Sequence, residues 1–248
     1  MFWWRQQIDT DLEAGFTDAS AGNLALHVQD DPAAVSRNRS RLEAGMAVAP
    51  GSLQFMSQVH SADVAVANGG PAPTADALVS LDGSIPLAVM VADCVPVLLA
   101  GTASGSGVVT AAAHAGRRGL LDGILPAVVE RMRAGGARSL RAWIGPSICG
   151  RCYEVPGRMQ AESVALLPAV RSRTSWGTPA LDLPAGAASQ LEGLGVQVHR
   201  VGTCTLENED LFSHRRDPHT GRFAGVIWRT DGRPGPGDLD SIDNRRNH

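Results

Sequence analysis

The chain has 248 residues, 44% of them hydrophobic, a formal net charge of -3 and 22 basic residues, all of them arginine. The absence of lysine excludes Schiff-base catalysis, lysine-anchored pyridoxal phosphate and a Walker-type P-loop, each of which needs an ammonium group at a defined place. A bound anion must therefore meet arginine, backbone N–H groups or a metal.

Along the chain, Asp31-Pro32 opens a helix that runs to about Met46, because Asp is a good N-cap and Pro suits the first helical turn. Short β-prone runs follow at Leu53 to His60, Asp63 to Ala67, Ala77 to Ser80, Leu87 to Val91, Val97 to Ala100 and Val108 to Ala113, broken by Gly, Pro and Asp. Gly119 to Ala134 reads as a helix, and Leu140 to Ile144 as a strand closed by Gly145-Pro146. Met159 to Leu167 and Gly186 to Leu194 read as helices, Val196 to Val201 as a strand after the Gly195 stop, and Arg222 to Trp228 as a last strand. No internal repeat or linker interrupts 1–229. This favours one mixed α/β domain, a layered α/β/β/α sandwich in which two facing sheets are covered by helices. From Thr230 on, Gly, Pro, Asp and Arg dominate, so 230–248 is expected to be a flexible tail.

Partners are bounded by composition. Near-neutral charge lacks the basic stripe of a nucleic-acid or anionic-membrane binder, and 4% aromatic residues offer no stacking platform for single strands. The apolar start at Met1 to Trp4 is ended by Arg5, Asp9 and Asp11, too early for a membrane span. Four cysteines and no secretory pattern predict reduced thiols in the cytoplasm. The missing lysine, with abundant Ala and Gly, reads as GC-rich codon usage.

Three segments end β-prone runs with a metal-capable side chain: Gln58-Val59-His60, Ala92-Asp93-Cys94-Val95-Pro96 and Ala113-His114-Ala115-Gly116. Spacings of 34 and 20 residues are too long for a zinc finger but suit three strands converging on one point. A His2Cys set gives Zn²⁺ three ligands and leaves a fourth position for water or substrate. Two other readings stand beside it. The three are unrelated strand-end residues, or Cys94 and His114 are a thiolate and its base, oriented by a carboxylate or amide. Asp93 adjoins Cys94, and neighbours on a strand point to opposite faces, so Asp93 suits a supporting role.

Cys149-Gly-Arg-Cys152 is a lone CxxC; without a second pair or a βαβ setting the structural reading is preferred. Glu154 is a proton carrier or a surface ion-pair partner. Arg117-Arg118, and Arg215-Arg216 with Arg222, are two guanidinium clusters whose planar forks match phosphate.

Together, Gln58-Val-His60, Ala75-Asp-Ala-Leu78, Ala92-Asp-Cys-Val-Pro96, His114-Ala-Gly-Arg-Arg-Gly119, Ile144-Gly-Pro146, Tyr153-Glu-Val155, Cys204-Thr205 and Phe212-Ser-His-Arg-Arg-Asp217 resemble the YfiH family. The resemblance starts near Gly15, includes Asn23-Leu-Ala-Leu-His-Val28 and Asp30-Asp-Pro32, and runs to about Trp228. The family carries two descriptions, laccase-like polyphenol oxidoreductase and purine nucleoside phosphorylase. The resemblance implies a mixed α/β sandwich and zinc bound by the residues matching His60, Cys94 and His114. It further implies phosphorolysis of adenosine, inosine and methylthioadenosine, with adenosine deamination as a second activity. Departures are Arg117 where members commonly have Trp, His214 where they often have Tyr, and Thr17-Asp18 for a Thr-Arg pair; they bear on substrate preference and leave the triad intact.

The laccase description conflicts with the residue inventory. A multicopper oxidase surrounds a trinuclear cluster with His-x-His pairs beside a His2Cys blue-copper centre, whereas this chain has seven histidines and no His-x-His. A single His2Cys site would still take copper, since Cu²⁺ outcompetes Zn²⁺ at most such sites. For phosphorolysis, Arg118, Arg215, Arg216 and Asn23 are the expected substrate and phosphate residues, with His60, Cys94 and His114 as metal ligands and catalytic centre. The alternatives are a metal-independent Cys-His hydrolase or deamidase and a copper-binding polyphenol oxidoreductase.

Overall fold

The computed structural model describes residues 1–103, 105 and 107–230; all but the first residue of the tail expected over 230–248 lies outside them. The elements are β1 (Phe2–Asp9), β2 (Leu12–Thr17), α1 (Pro32–Met46), β3 (Val64–Val66), β4 (Ala77–Ser80), β5 (Leu87–Val91), β6 (Val95–Thr102) and β7 (Val108–Ala115). They continue with α2 (Arg117–Asp122), α3 (Ile124–Ala134), β8 (Arg138–Ile144), α4 (Gly157–Leu166), β9 (Arg171–Arg173), β10 (Pro179–Leu181), α5 (Leu183–Gly193), β11 (Gln197–Arg200) and β12 (Phe223–Arg229). No helix among the described residues is long and apolar enough to cross a membrane.

Two sheets stack face to face. One is antiparallel with order β1-β2-β12-β5; the other is mixed with order β11-β8-β6-β7-β4-β3. The period of two decides which core each side chain enters. On β6, Leu98 and Ala100 face the first sheet, with Leu12, Phe16 and Ile227, while Val97 and Leu99 face α3 and α5. On β7, Ala112 joins the inter-sheet layer and Ala111, Ala113 and Ala115 the helical one. Across the first sheet, Leu42 and Met46 of α1 cover Ala88, Ala224, Val226 and Trp228. The order of layers is therefore α1, sheet, sheet, and then α2, α3 and α5, the expected α/β/β/α sandwich. At about 1.5–3 kcal/mol per buried aliphatic side chain, both sides of β6 anchor it.

Local chemistry explains where the expected elements shift. Helix α1 keeps its expected bounds because Asp31 accepts a hydrogen bond from the N–H of Ala33 at 3.0 Å and Pro32 follows it. The helix expected over 119–134 is broken in two at Gly123, whose φ of 94° ends α2. Helix α5 starts at Leu183, before Gly186, because Asp182 caps the N–H of Ala185 at 2.9 Å.

Leu53 to His60 is not a strand. It makes only isolated bridges at Gln54 and Ser57, and the Gln58 side chain takes over the pairing, donating to the Met90 carbonyl at 2.7 Å and accepting from the Met90 N–H at 2.9 Å. The β1-β2 hairpin was not expected. Phe2 to Gln7 shows no alternation because β1 is an edge strand, while β2 is buried on both faces, Glu13 included.

Candidate metal centre and active site

Three different elements deliver the triad. His114 lies within β7, opposite Pro96 of β6. Cys94 is on the short turn between β5 and β6, and His60 ends the irregular 53–60 segment. One ligand atom from each lies within 4.8 Å of the other two. Cys94 Sγ is 3.7 Å from His60 Nε2, and the two imidazoles meet edge to face with centroids 4.7 Å apart. A tetrahedron with Zn–S of ~2.3 Å and Zn–N of ~2.0 Å has a sulfur–nitrogen edge of about 3.5 Å, so the donors stand where such an ion needs them. His114 is buried, Cys94 half-buried and His60 exposed, which leaves the fourth side open to a ligand.

Asp76, fully buried just before β4, organises two of the three triad residues. Its Oδ1 is 2.7 Å from His114 Nδ1, which leaves Nε2 available to a metal. The same carboxylate accepts the N–H groups of Val59, His60 and Ser61 at 3.2, 2.9 and 2.6 Å, and the Ser61 hydroxyl at 2.9 Å. These bonds hold His60 at φ 61°, a left-handed conformation that a non-glycine residue adopts only when its surroundings fix it. Burial opposes a charge on Asp76, but hydrogen bonds from His114 and Ser61 keep its carboxyl well below the usual range.

Electrostatics reinforce the donor set. Burial alone would push the Cys94 thiol up; the positive His114 and hydrogen bonds from His114 and His60 override it and bring it down to about 6. Burial would likewise lower His114, but the Cys94 thiolate and the Asp76 hydrogen bond raise it to about 9. A thiolate and an imidazole anchored by a carboxylate are what a soft divalent ion requires, and a carboxylate behind a ligating histidine fixes its tautomer.

Two glycines make room. A Cβ on Gly116 would sit 2.6 Å from His60 Cδ2 and 3.3 Å from Cys94 Sγ; one on Gly119 would sit 2.6 Å from the Ser61 carbonyl oxygen. The spacing in His114-Ala-Gly-Arg-Arg-Gly119 thus lets α2 pass close to the His60 loop.

Residues 13–230 match the family described as multi-copper polyphenol oxidoreductase laccase. The chain belongs to this family. It is 48% identical over 230 residues to a protein of Streptomyces coelicolor named a purine nucleoside phosphorylase, covering 86% of this chain and 94% of that one. A solved structure from Neisseria meningitidis superposes with a TM-score of 0.76 at 32% identity, covering 90% of this chain and 96% of that one. The solved structure of a Bacillus licheniformis protein called YfiH superposes with a TM-score of 0.78 at 27% identity, covering 88% and 92%. The resemblance to the YfiH family is borne out.

In this member of the family the triad opens onto two adjoining depressions that share Ala92, Cys94 and His214. One is walled by Arg117, Arg215, Tyr153 and Ile148; the other by His27, Gln58 and Arg222 with His60 and His114. Arg215 is held in place, donating to the Glu154 carbonyl at 3.1 Å and lying 5.2 Å above the Tyr153 ring. Asp93, at φ 85°, ties the first depression together: its carboxylate accepts the Arg215 N–H and the Thr205 hydroxyl, each at 2.6 Å, and its carbonyl accepts the Ile148 N–H at 3.0 Å.

Of the four expected substrate residues, the structure brings only Arg215 to these walls. The Arg118 side chain is 72% exposed and pairs with Asp122 on the next turn of α2, while its neighbour Arg117 faces the centre. Arg216 turns away and donates to the carbonyls of Thr205, Leu206, Asn208 and Leu211, stapling its own loop. Asn23 is buried and committed on both ends of its amide, to Ala25, Asp30 and the Arg222 N–H. Asp76 was missed as the orienting carboxylate. Its signal is an ionisable residue flanked by Ala75 and Ala77 at the start of an all-buried strand.

Proposed function

We propose that this family member is a zinc-dependent purine nucleoside phosphorylase. It converts adenosine, inosine or S-methyl-5'-thioadenosine, with phosphate, to the free base and ribose 1-phosphate or its methylthio counterpart. The C1'–N9 bond breaks, a C1'–O bond to phosphate forms, and the base leaves with a proton. The reading rests on a three-donor His2Cys set opening beside Arg117 and Arg215, in a chain about half identical to a protein named for that reaction.

His60, Cys94 and His114 would hold the metal; bound there it supplies a Lewis acid for a phosphate or nucleoside oxygen and an acidified water for adenosine deamination as a second reaction. The remaining roles belong to the protein. Arg215, already aligned by Glu154 and Tyr153, and Arg117 in the same depression receive the phosphate, filling the role expected of lysine in other anion sites. Asp76 fixes the His114 tautomer. His27 is held below its ordinary pKa by burial and the charge on Arg222, so at neutral pH it meets the nucleoside as an uncharged hydrogen-bonding group.

The position of His60 favours the metal reading over a Cys-His hydrolase: a thiolate and its base need no second imidazole 3.7 Å from the sulfur. The same donors would accept Cu²⁺, so oxidase behaviour of copper-loaded protein fits one centre. The test incubates zinc-loaded protein with adenosine, with and without phosphate, and identifies adenine, ribose 1-phosphate and inosine. Adenine and ribose 1-phosphate formed only with phosphate is the expected result. Adenine release that ignores phosphate, or activity that survives chelation, overturns the reading.

A further inference from the structure

A second cluster of metal-type donors lies apart from the triad. Cys149, Cys152, Cys204 and Glu207 each place one sulfur or carboxylate oxygen within 4.8 Å of all the others. The CxxC lies in the loop after β8, where the N–H groups of Cys152 and Tyr153 both bond the Cys149 carbonyl at 3.0 Å and curl the two thiols inward. Cys204 arrives from the loop after β11, aligned by a bridge to Ser147. The Asn208 N–H bonds the Cys204 carbonyl at 3.1 Å, a turn that brings Glu207 back over the cysteine.

Simple packing explains this poorly. Cys152 and Cys204 are 6% and 7% exposed and share a small apolar cluster with Ile148, yet the exposed Glu207 at its rim turns a carboxylate oxygen to within 4.8 Å of the three sulfurs. The Cys204 sulfur faces the loop of the CxxC and accepts the backbone N–H of Cys149 at 3.5 Å. The CxxC lacks a second CxxC, but the fold supplies the missing thiol from Cys204 and a fourth donor from Glu207.

We propose that Cys149, Cys152, Cys204 and Glu207 form a closed structural zinc site. Three thiolates and one carboxylate complete a tetrahedron and leave no position for substrate. Binding releases three thiol protons to solvent and transfers no electrons. The ion would clamp the loop after β8 to the loop after β11. Both loops bond Asp93, through the Ile148 N–H and the Thr205 hydroxyl, so the clamp supports the wall beside Cys94.

The experiment counts metal in full-length protein isolated under reducing conditions, by mass spectrometry of the elements, alongside His60→Ala and Cys149→Ser/Cys204→Ser. Two zinc ions per chain in the wild type and one in each variant is the expected result. Cobalt-loaded His60→Ala should show a thiolate-to-cobalt charge-transfer band and tetrahedral visible bands, the latter displaced by Glu207→Gln. If the triad proves metal-free, the wild type still carries one ion, lost only in the cysteine variant. Should that variant fail to fold, alkylation of wild-type protein decides: the three thiols are protected until chelation. A count unchanged by cysteine substitution, thiols equally reactive before and after chelation, or a Cys149–Cys152 disulfide in the reduced preparation overturns the site.

Discussion

The carboxylate of Asp76 stands 2.7 Å from Nδ1 of His114 while gripping three successive backbone N–H groups around His60. Two of the three triad residues are thus positioned by one buried group. Asp76→Asn turns an amide NH₂ toward donors that have no other acceptor. The expected result is a ~10–100-fold loss of zinc affinity, with a loss of stability of about 1–3 kcal/mol. Competition with a chromophoric chelator and thermal unfolding measure the two; affinity unchanged in a folded variant removes Asp76 from the centre.

Gly116→Ala tests the packing around the triad separately from the fold. Gly116 has φ -68°, which alanine adopts without strain, but the new methyl group meets His60 and Cys94. His60 is exposed and can swing away. Metal content and turnover should fall sharply while the melting temperature stays close to the wild type. A variant retaining full zinc would show that His60 is not a required ligand.

Arg215 and Arg216 are adjacent and should fail differently. Arg215→Ala removes a guanidinium from the wall by Cys94, so KM for phosphate should rise by about tenfold or more, ~1.4 kcal/mol, with little change in stability. Arg216→Ala frees four loop carbonyls and should lower stability by ~1–3 kcal/mol before it alters phosphate dependence. Phosphate saturation curves and denaturant titrations of both variants check this; equal kinetic effects would contradict the assignment.

Metal uptake should depend on pH with a defined sign. In the metal-free protein Cys94 is a thiolate above about 6 and His114 keeps its proton up to about 9. Zinc must displace that proton, so affinity rises with pH by ~tenfold per unit between these limits and levels off above them. Below the lower limit Cys94 also binds a proton and the dependence steepens. Calorimetry in two buffers of different ionisation enthalpy reads the proton release directly; uptake with no proton release contradicts the pair.

The layered fold was legible because side chains on β6 and β7 alternate between two apolar layers, and the triad because metal-capable residues end segments that a sheet can gather. What escaped depends on contacts between distant residues. Gln54 and Gln58 resemble strand residues until Gln58 is seen bonding Met90 in place of a ladder. Arg118 and Arg216 match phosphate as well as Arg215 does by composition; only the turn of α2 and the carbonyls of 205–211 turn them away. Cys204 belongs to a family motif in the sequence, but only the Ser147 bridge sets it beside the CxxC.

The left-handed Asp93 has a mechanical meaning. Its carboxylate is bonded to the Arg215 backbone, and its peptide bond continues directly into Cys94. Arg215 and the Cys94 sulfur are thus linked through one residue, bypassing both apolar layers. An anion that drew Arg215 inward would therefore also shift the sulfur, and a metal held by the sulfur would restrain the arginine. The two halves of the site meet at one pivot, and by linkage an occupant of either would alter the hold on the other equally.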